Sequence, residues 1–315
     1  MRVLCVVLNY KTAAMTLDAV RSARAALVGL SHRIDVVDND SQDGSFEQLS
    51  AAVSDAGWSD VRVIQSGHNG GFGAGNNVAL RAALREPTPP DYLYILNSDA
   101  FPAPDAIEAL VSFMDAHPRA GIAGSFIHGP EGDPHLTAFR FPSVASEALS
   151  GFRLGLLKRV LPDREVPVHP MPSQTQRVDW LAGASMMFRR EALEEVGLFD
   201  ETFFLYFEET DLCRRAMLAG WECWYVMESR VAHIGSVSTG MKNKARPMPR
   251  YWFDSRRHYF TKNHGPAYTW AANVVHAAGL ASFKARARLQ AKPDPDPVHF
   301  LRDFVRYNFV DNRPR

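Results

Sequence analysis

The sequence predicts an α/β protein: a mostly parallel sheet flanked by helices, with a helical extension at the C-terminus. Two observations carry this. Through residue 128, short apolar runs alternate with Ala- and Leu-rich stretches of helical length, and beyond residue 262 the pattern is almost wholly helical. Strands alternating with helices of this length imply right-handed crossovers between parallel neighbours.

Taken in order, RVLCVVL is the first strand, and residues 13–28 are the first crossover helix. RIDVVD is the second strand, and the next helix opens at Ser41–Gly44. VRVIQS is the third strand, followed by a glycine-rich turn and the helical NNVALRAAL. YLYIL is the fourth, followed by the helix DAIEALVSFMDAH. The alternation then breaks. Residues 129–180 carry Gly, Pro and charges and read as a long irregular excursion with one amphipathic piece, SEALSGFRLGLLKRVL. Regular patterning resumes at VDWLAGASMMFRREALEEVG, and KPDPDPV interrupts the C-terminal helices. Residues 1–236 are expected to form the main domain and 237–315 the extension. Residues 267–283 are apolar, but Asn273 and His276 interrupt them, so the segment reads as a packed or interfacial helix rather than a membrane span.

The formal net charge of zero gives no electrostatic reason for nucleic-acid binding. Three cysteines without a CxxC pair argue against a disulfide framework or structural zinc, and fit a reducing cytosol. The first apolar run is too short for a signal-peptide core.

In parallel sheets ligands sit outside the carboxyl ends of the strands. The residues just past those ends are Asn9, Asp38–Asp40, His68–Asn69 and Asn97–Asp99, expected along one rim. Turn chemistry favours Asn and Asp in any case, but four such clusters on one edge point to a site. Asp38 could accept from the imide N–H of uracil or thymine, or serve the turn; Ser41 and Asp43 read as helix N-caps. The stretch GHNGGFGAGNN allows close backbone approach to a ligand, but its glycines do not complete the GxGxxG fingerprint of dinucleotide binding. Asp99 is a hard oxygen donor suited to a divalent ion on a diphosphate, or a helix cap. FLYFEETDLCRRA brings Glu208, Glu209 and Asp211 to a helix start, after aromatic residues that place them at a core edge. Glu208 and Asp211 share a helical face there. The acids complement the helix dipole, or one of them takes a proton from a hydroxyl. His233 follows another strand signal and is either structural or a ligand.

In this order the pieces VVLNY, VVDNDSQDGS, HNGGFGAGNN, LNSDA, WLAGASMMFRREALEEVGLFDETFFLYFEETDLCRRA and AHIGS resemble family 2 glycosyltransferases, especially the rhamnosyltransferase-like branch. The resemblance implies an inverting enzyme of the GT-A fold, Rossmann-like, with a Mg²⁺ or Mn²⁺ cofactor. Its donor would be a nucleotide-diphosphate sugar, with dTDP-rhamnose favoured over UDP sugars. Its acceptor would be a glycan or polyprenyl-diphosphate-linked hydroxyl in polysaccharide or cell-envelope synthesis. It assigns Asn9, Asp38, Asn69, Gly73, Asn76, Asn97 and Ser98 to the nucleotide sugar, with Trp180, Gly183 and Ala184 beneath donor sugar and acceptor. Asp99 and His233 would hold the metal, although Asn97 replaces the first acid of the DxD motif. Glu209 would be the base, where the family usually has Asp, with Glu208 the alternative and Asp211 beside them. The basic segment 237–262 is either a solvated face or a contact for a polyprenyl diphosphate or an anionic inner membrane surface. A dinucleotide-dependent oxidoreductase and an idle nucleotide-sugar scaffold are the competing readings.

Overall fold

A computed structural model describes residues 1–235 and 244–311. Its first four main strands are β1 (Val3–Asn9), β2 (His32–Asp38), β3 (Val61–Gln65) and β4 (Tyr92–Asn97), parallel in the order β3-β2-β1-β4. The returns are α1 (Ala13–Ala26), α2 (Ser45–Asp55) and α3 (Phe72–Leu84). Register sets Asn9 opposite Asp38, Asp38 opposite Gln65 and Leu8 opposite Asn97. The polar tips therefore share one carboxyl edge, as the strand pattern predicts.

Successive β1 side chains enter different cores. Val3, Cys5 and Val7 pack with α1, and with Ile107, Leu110 and Met114 of α4 (Ala106–Ala116). Leu4 and Val6 pack with Leu80 of α3 and with Leu212 of α8 (Glu208–Leu218). This period-two division explains why the strands read as continuous apolar runs.

Beyond β4 lie β5 (Ala100–Pro102) and β6 (Ala120–His128), and the excursion then supplies β7 (Ala138–Phe139), β8 (Gln176–Arg177) and β9 (Trp180–Leu181). β10 (Ser185–Arg189) enters antiparallel between β4 and β6, while β11 (Glu222–His233) runs parallel to β6 and antiparallel to β5. The sheet is thus parallel on one side and mixed on the other, less parallel than the sequence suggests. No crossover helix carries the chain from β6 to β10; the long excursion returns it from the opposite end. Four buried hydroxyls cross the insertion, with Tyr94 bonded to Ser185 at 2.8 Å, and Ser125 to Ser185 and Ser229 at 2.7 Å each. A one-residue slip of β10 would strand them unpaired in the core.

The amphipathic piece forms two helices, α5 (Val144–Phe152) and α6 (Gly155–Val160), broken where Arg153 takes a left-handed conformation. α7 (Arg190–Val196) precedes α8, and α9 (Arg250–His264), α10 (Pro266–Leu289) and α11 (Phe300–Val305) follow β11. α10 packs on α5 through Gly279, where an added Cβ would lie 2.7 Å from the Gly151 carbonyl carbon. It is a packed helix, and among the described residues no helix is long and apolar enough to cross a membrane.

Much of the basic segment is engaged in ion pairs, while Lys244 and Arg246 are exposed. Lys242 lies outside the described residues. Arg250 pairs with Asp254 and Asp311, Arg257 with Asp254, and Lys262 with Asp200 and Asp211. Arg256 is fully buried, 2.8 Å from Glu147 and 2.6 Å from Asn273. Arg256 and Lys262 look like surface charge in the sequence because their carboxylate partners lie far away in the chain.

Candidate active site

At the carboxyl edge, Asn9 is a hub. Its Nδ2 donates to Asp38 at 2.6 Å and Ser41 at 3.2 Å, while its Oδ1 accepts from the Thr16 hydroxyl at 2.7 Å and the Thr12 amide and hydroxyl at 3.3 Å each. Asp38 also accepts the Ser41 hydroxyl at 2.5 Å and amide at 3.2 Å, and the Gln65 amide nitrogen, in its donating orientation, at 2.9 Å. Both residues are buried with their hydrogen-bonding capacity in use. They form a satisfied framework at this rim, both Asp38 carboxylate oxygens already accepting hydrogen bonds. Ser41 is part of this network rather than a helix cap; Asp43 alone takes a cap-like role, accepting from the Ser45 amide at 3.1 Å.

Adjacent tips join the same rim. Asn39 donates to Asn69 at 3.0 Å, and Thr12 donates to Ser98 at 3.1 Å. Asn39 Oδ1 and Asn76 Oδ1 are buried without a partner among the described residues. The glycines of the turn serve protein packing. A Cβ at Gly71, whose φ is +91°, would lie 1.7 Å from the Phe204 carbonyl oxygen, and one at Gly73 would lie 2.9 Å from Phe199 Cβ. At Gly73 the side-chain direction is thus taken by Phe199. The close approach lets the Phe72 amide donate to the Phe204 carbonyl at 3.0 Å, while Asn77 bonds the Phe199 carbonyl at 2.9 Å and amide at 3.2 Å.

Asp99 Oδ1 sits 3.0 Å from His233 Nε2, and its Oδ2 accepts the Gly235 amide at 3.1 Å. Burial works to raise the Asp99 carboxyl, but His233 and the amides outweigh it and hold the group below its usual range. Asn97 lies 3.5 Å from the same imidazole nitrogen. Among the described residues no cluster of three or more His, Cys, Asp or Glu could hold a metal. The donor set is one carboxylate and one imidazole converging on a point. That fits an ion which keeps waters and takes its remaining oxygens from a diphosphate.

The acids stand at the start of α8, after an aromatic turn in which Tyr206 and Phe207 both adopt positive φ, 70° and 72°. Such conformations cost about 1–3 kcal/mol each and persist only where surroundings impose them. Here Phe207 packs against Trp252 and Tyr259, and Ser255 holds the Leu205 carbonyl at 3.0 Å. Glu208 is buried, and Glu209, half-buried, accepts the Gly183 amide. Each has one carboxylate oxygen buried without a partner among the described residues. Burial pushes Glu209 up to about 7; burial and then the Glu209 charge push Glu208 well above its usual range. The two therefore titrate as a coupled pair.

Asp211 does not belong with them. It accepts from Arg215 and Lys262 at 2.8 Å and Asn263 at 3.1 Å, and so ties α8 to α9. The helical-face pairing of Glu208 with Asp211 is replaced by the adjacency of Glu208 and Glu209. Gly183 is small where a Cβ would meet the Phe72 ring at 3.1 Å and lie 3.7 Å from Glu209 Oε1. Trp180 stacks on Phe139 at 4.1 Å and donates to the Arg140 carbonyl at 2.9 Å. Ala184 accepts the Asn97 amide at 3.0 Å, so the turn carrying Gly183 joins the Glu209 side to the Asn97–Asp99 tip. Sequence reasoning missed Thr12, Thr16, Gln65 and Asn77, and named Asn39 only within the Asp38–Asp40 tip. Gln65 had a signal, since it ends a strand on the same rim.

A mixed sheet with a polar carboxyl edge, flanked by helices on both faces, is the architecture of GT-A glycosyltransferases. Residues 4–197 match the model of glycosyl transferase family 2, and the chain belongs to that family. It is 30% identical over 211 residues to N-acetylglucosaminyl-diphospho-decaprenol L-rhamnosyltransferase of Mycobacterium tuberculosis, covering 65% of this chain and 67% of that one. It is also 30% identical to rhamnosyltransferase WbbL of Escherichia coli, over 52% of this chain and 60% of that one. Among solved structures, mannosyltransferase PcManGT from Pyrobaculum calidifontis, in complex with GDP-Man and Mn²⁺, superposes with a TM-score of 0.61 at 14% identity. That match covers 99% of this chain and 88% of the other. The family assignment removes the oxidoreductase reading.

Proposed function

We propose that the protein is an inverting rhamnosyltransferase that moves L-rhamnose from dTDP-rhamnose to a hydroxyl of a polyprenyl-diphosphate-linked glycan. The names of the two curated relatives support the sugar and, for the mycobacterial one, the acceptor class. The observation that carries the chemistry is Glu209: a carboxylate held by the Gly183 amide, one oxygen unpartnered, titrating at about 7. A base poised near the working pH is ionised often enough to act and still basic enough to accept a proton. Glu209 takes the proton of the acceptor hydroxyl as that oxygen attacks the anomeric carbon. The nucleoside diphosphate departs from the opposite face, and configuration inverts.

Asp99 and His233 would hold Mg²⁺ or Mn²⁺, which when bound stabilises the charge developing on the departing diphosphate. Asn9, Asp38 and Ser41 position the backbone of the nucleotide end, and Asn69, Asn76, Asn97 and Ser98 line it. Trp180, Gly183 and Ala184 floor the sugar subsite. Glu209→Gln keeps shape and removes basicity, so transfer should fall about 10²–10⁴-fold while dTDP-rhamnose still binds. Near-normal turnover of that variant rejects the mechanism.

We propose that α6 and the end of α10 also offer a contact for an anionic membrane face. Leu156, Val160 and Leu289 are 71%, 66% and 88% exposed, and Arg159, Arg288 and Lys292 are exposed beside them in sequence. Arg153 joins the two helices by lying 4.4 Å from the Phe283 ring. Aliphatic side chains among cations suit a headgroup boundary.

A further inference from the structure

Three buried polar atoms without partners among the described residues belong to the packed helices α8 and α9: Nε of Arg214, the hydroxyl of Tyr259 and Nε2 of His264. Native folds leave few such atoms unpaired, and each asks for an explanation. Arg214 is on α8, five residues past Glu209 and about 7.5 Å further along the helix axis. Its guanidinium lies 5.9 Å from the centre of the Phe141 ring, and no ion pair to it is seen among the described residues.

Tyr259 and His264 come from α9 and are fixed by aromatic packing, His264 stacking on Tyr268 at 4.5 Å. Tyr259 is fully buried. Burial pushes its hydroxyl far up, so it remains an O–H donor; burial and then the Arg214 charge push His264 down. The Tyr259 and His264 rings lie 6.3 Å apart, and Arg214 is on the α8 face that sets Phe207 against Tyr259 and Asp211 against Lys262 and Asn263 of α9. The carboxylates whose charge reaches Tyr259 are engaged elsewhere: Asp179 accepts the Phe141 amide at 2.8 Å, and Asp211 is held by Arg215, Lys262 and Asn263. What remains is a cation with a hydroxyl and an imidazole nitrogen, a set that suits phosphate oxygens. Asp179 begins the segment that runs through Trp180 to Gly183, whose amide holds Glu209.

We infer that Arg214, Tyr259 and His264 form an anion site for the diphosphate of a lipid-linked acceptor, anchoring it while a sugar hydroxyl meets Glu209. The acceptor part of this assignment rests on the proposed function. Asp99 and His233, on other elements, already offer a place for the donor diphosphate, so a second anion site serves the other substrate.

The test is calorimetric titration with inorganic pyrophosphate in the presence of chelator, which silences the Asp99–His233 site, using wild type, Arg214→Gln and Tyr259→Phe. Pyrophosphate affinity should fall at least tenfold in the first variant and about fivefold in the second. The KM for synthetic farnesyl-diphosphate-linked N-acetylglucosamine should rise by similar factors, and the Kd of dTDP should move less than twofold. Tyr259→Phe removes only an unpartnered hydroxyl, so its Tm should hold, which separates binding loss from unfolding. Unchanged pyrophosphate affinity in both variants overturns the site, and a parallel loss of dTDP affinity assigns it to the donor instead. The titrations need no turnover. A wild-type protein that transfers no rhamnose rejects the proposed function and leaves the anion site to be decided by them.

Discussion

The rim around Asn9 and the acid pair at the start of α8 are both buried and polar, yet they are built in opposite ways. Asn9 and Asp38 use all their capacity on Thr12, Thr16, Ser41 and Gln65. Glu208 and Glu209 each keep a buried oxygen without a partner among the described residues, and they repel each other. A satisfied network rigidifies; an unsatisfied carboxylate stores free energy that a substrate hydroxyl can release. Burial of polar groups alone therefore does not single out the proposed base; the unpartnered oxygen of Glu209 supports that reading.

Substitutions in the two regions should fail differently. The largest effect belongs to Glu209→Gln, the loss of transfer given above, accompanied by unchanged or raised Tm because a buried charge is removed. A marked Tm drop would erase the distinction. Next, Asp99→Ala should weaken Mn²⁺ binding by at least about 10–100-fold, read by electron paramagnetic resonance of free Mn²⁺; wild-type affinity would take the ion elsewhere. The pH profile is a further probe. The base must be ionised, so kcat/KM should rise about tenfold per pH unit up to about 7 and then level. Stability should run the other way. The folded state holds the Glu209 proton more tightly than the unfolded chain does, so raising pH from 4.5 to about 7 costs stability. A flat rate profile from pH 5 to 8 would count against Glu209.

In the rim, Asn9→Ala should destabilise by about 1–3 kcal/mol in chemical denaturation, since it orphans Asp38 and Thr16. Its turnover at saturating substrate should change far less than that of Glu209→Gln; comparable losses would make the rim part of the chemistry. The smallest effect is at the membrane face. Arg159→Ala should weaken sedimentation with phosphatidylglycerol vesicles about fivefold at low salt, as expected for one cation near an anionic surface. Binding equal to wild type would clear α6 of that role.

The rim was legible in the sequence because parallel register is rigid: once four apolar runs are recognised, their tips must align. Glu208 and Glu209 were legible from the aromatic approach that carries them to a core edge. What stayed hidden depends on partners distant in the chain. Asp211 looks like its neighbours until Lys262 and Asn263 arrive from α9, and Arg256 reads as surface charge until Glu147 meets it. The reversal of β10 was hidden for a related reason, since no local signal tells which end of the sheet a long excursion returns to. The glycines of the turn misled because Gly71 and Gly73 answer to Phe204 and Phe199, more than a hundred residues later.

The seam between Phe72 and Phe204, with the double clasp of Asn77 on Phe199, welds the start of α3 to the loop leading into α8. The glycine-rich turn and the proposed proton acceptor Glu209 are thereby carried by one block. The excursion at residues 129–182 is built from shorter elements, its β7, β8 and β9 being only two residues long.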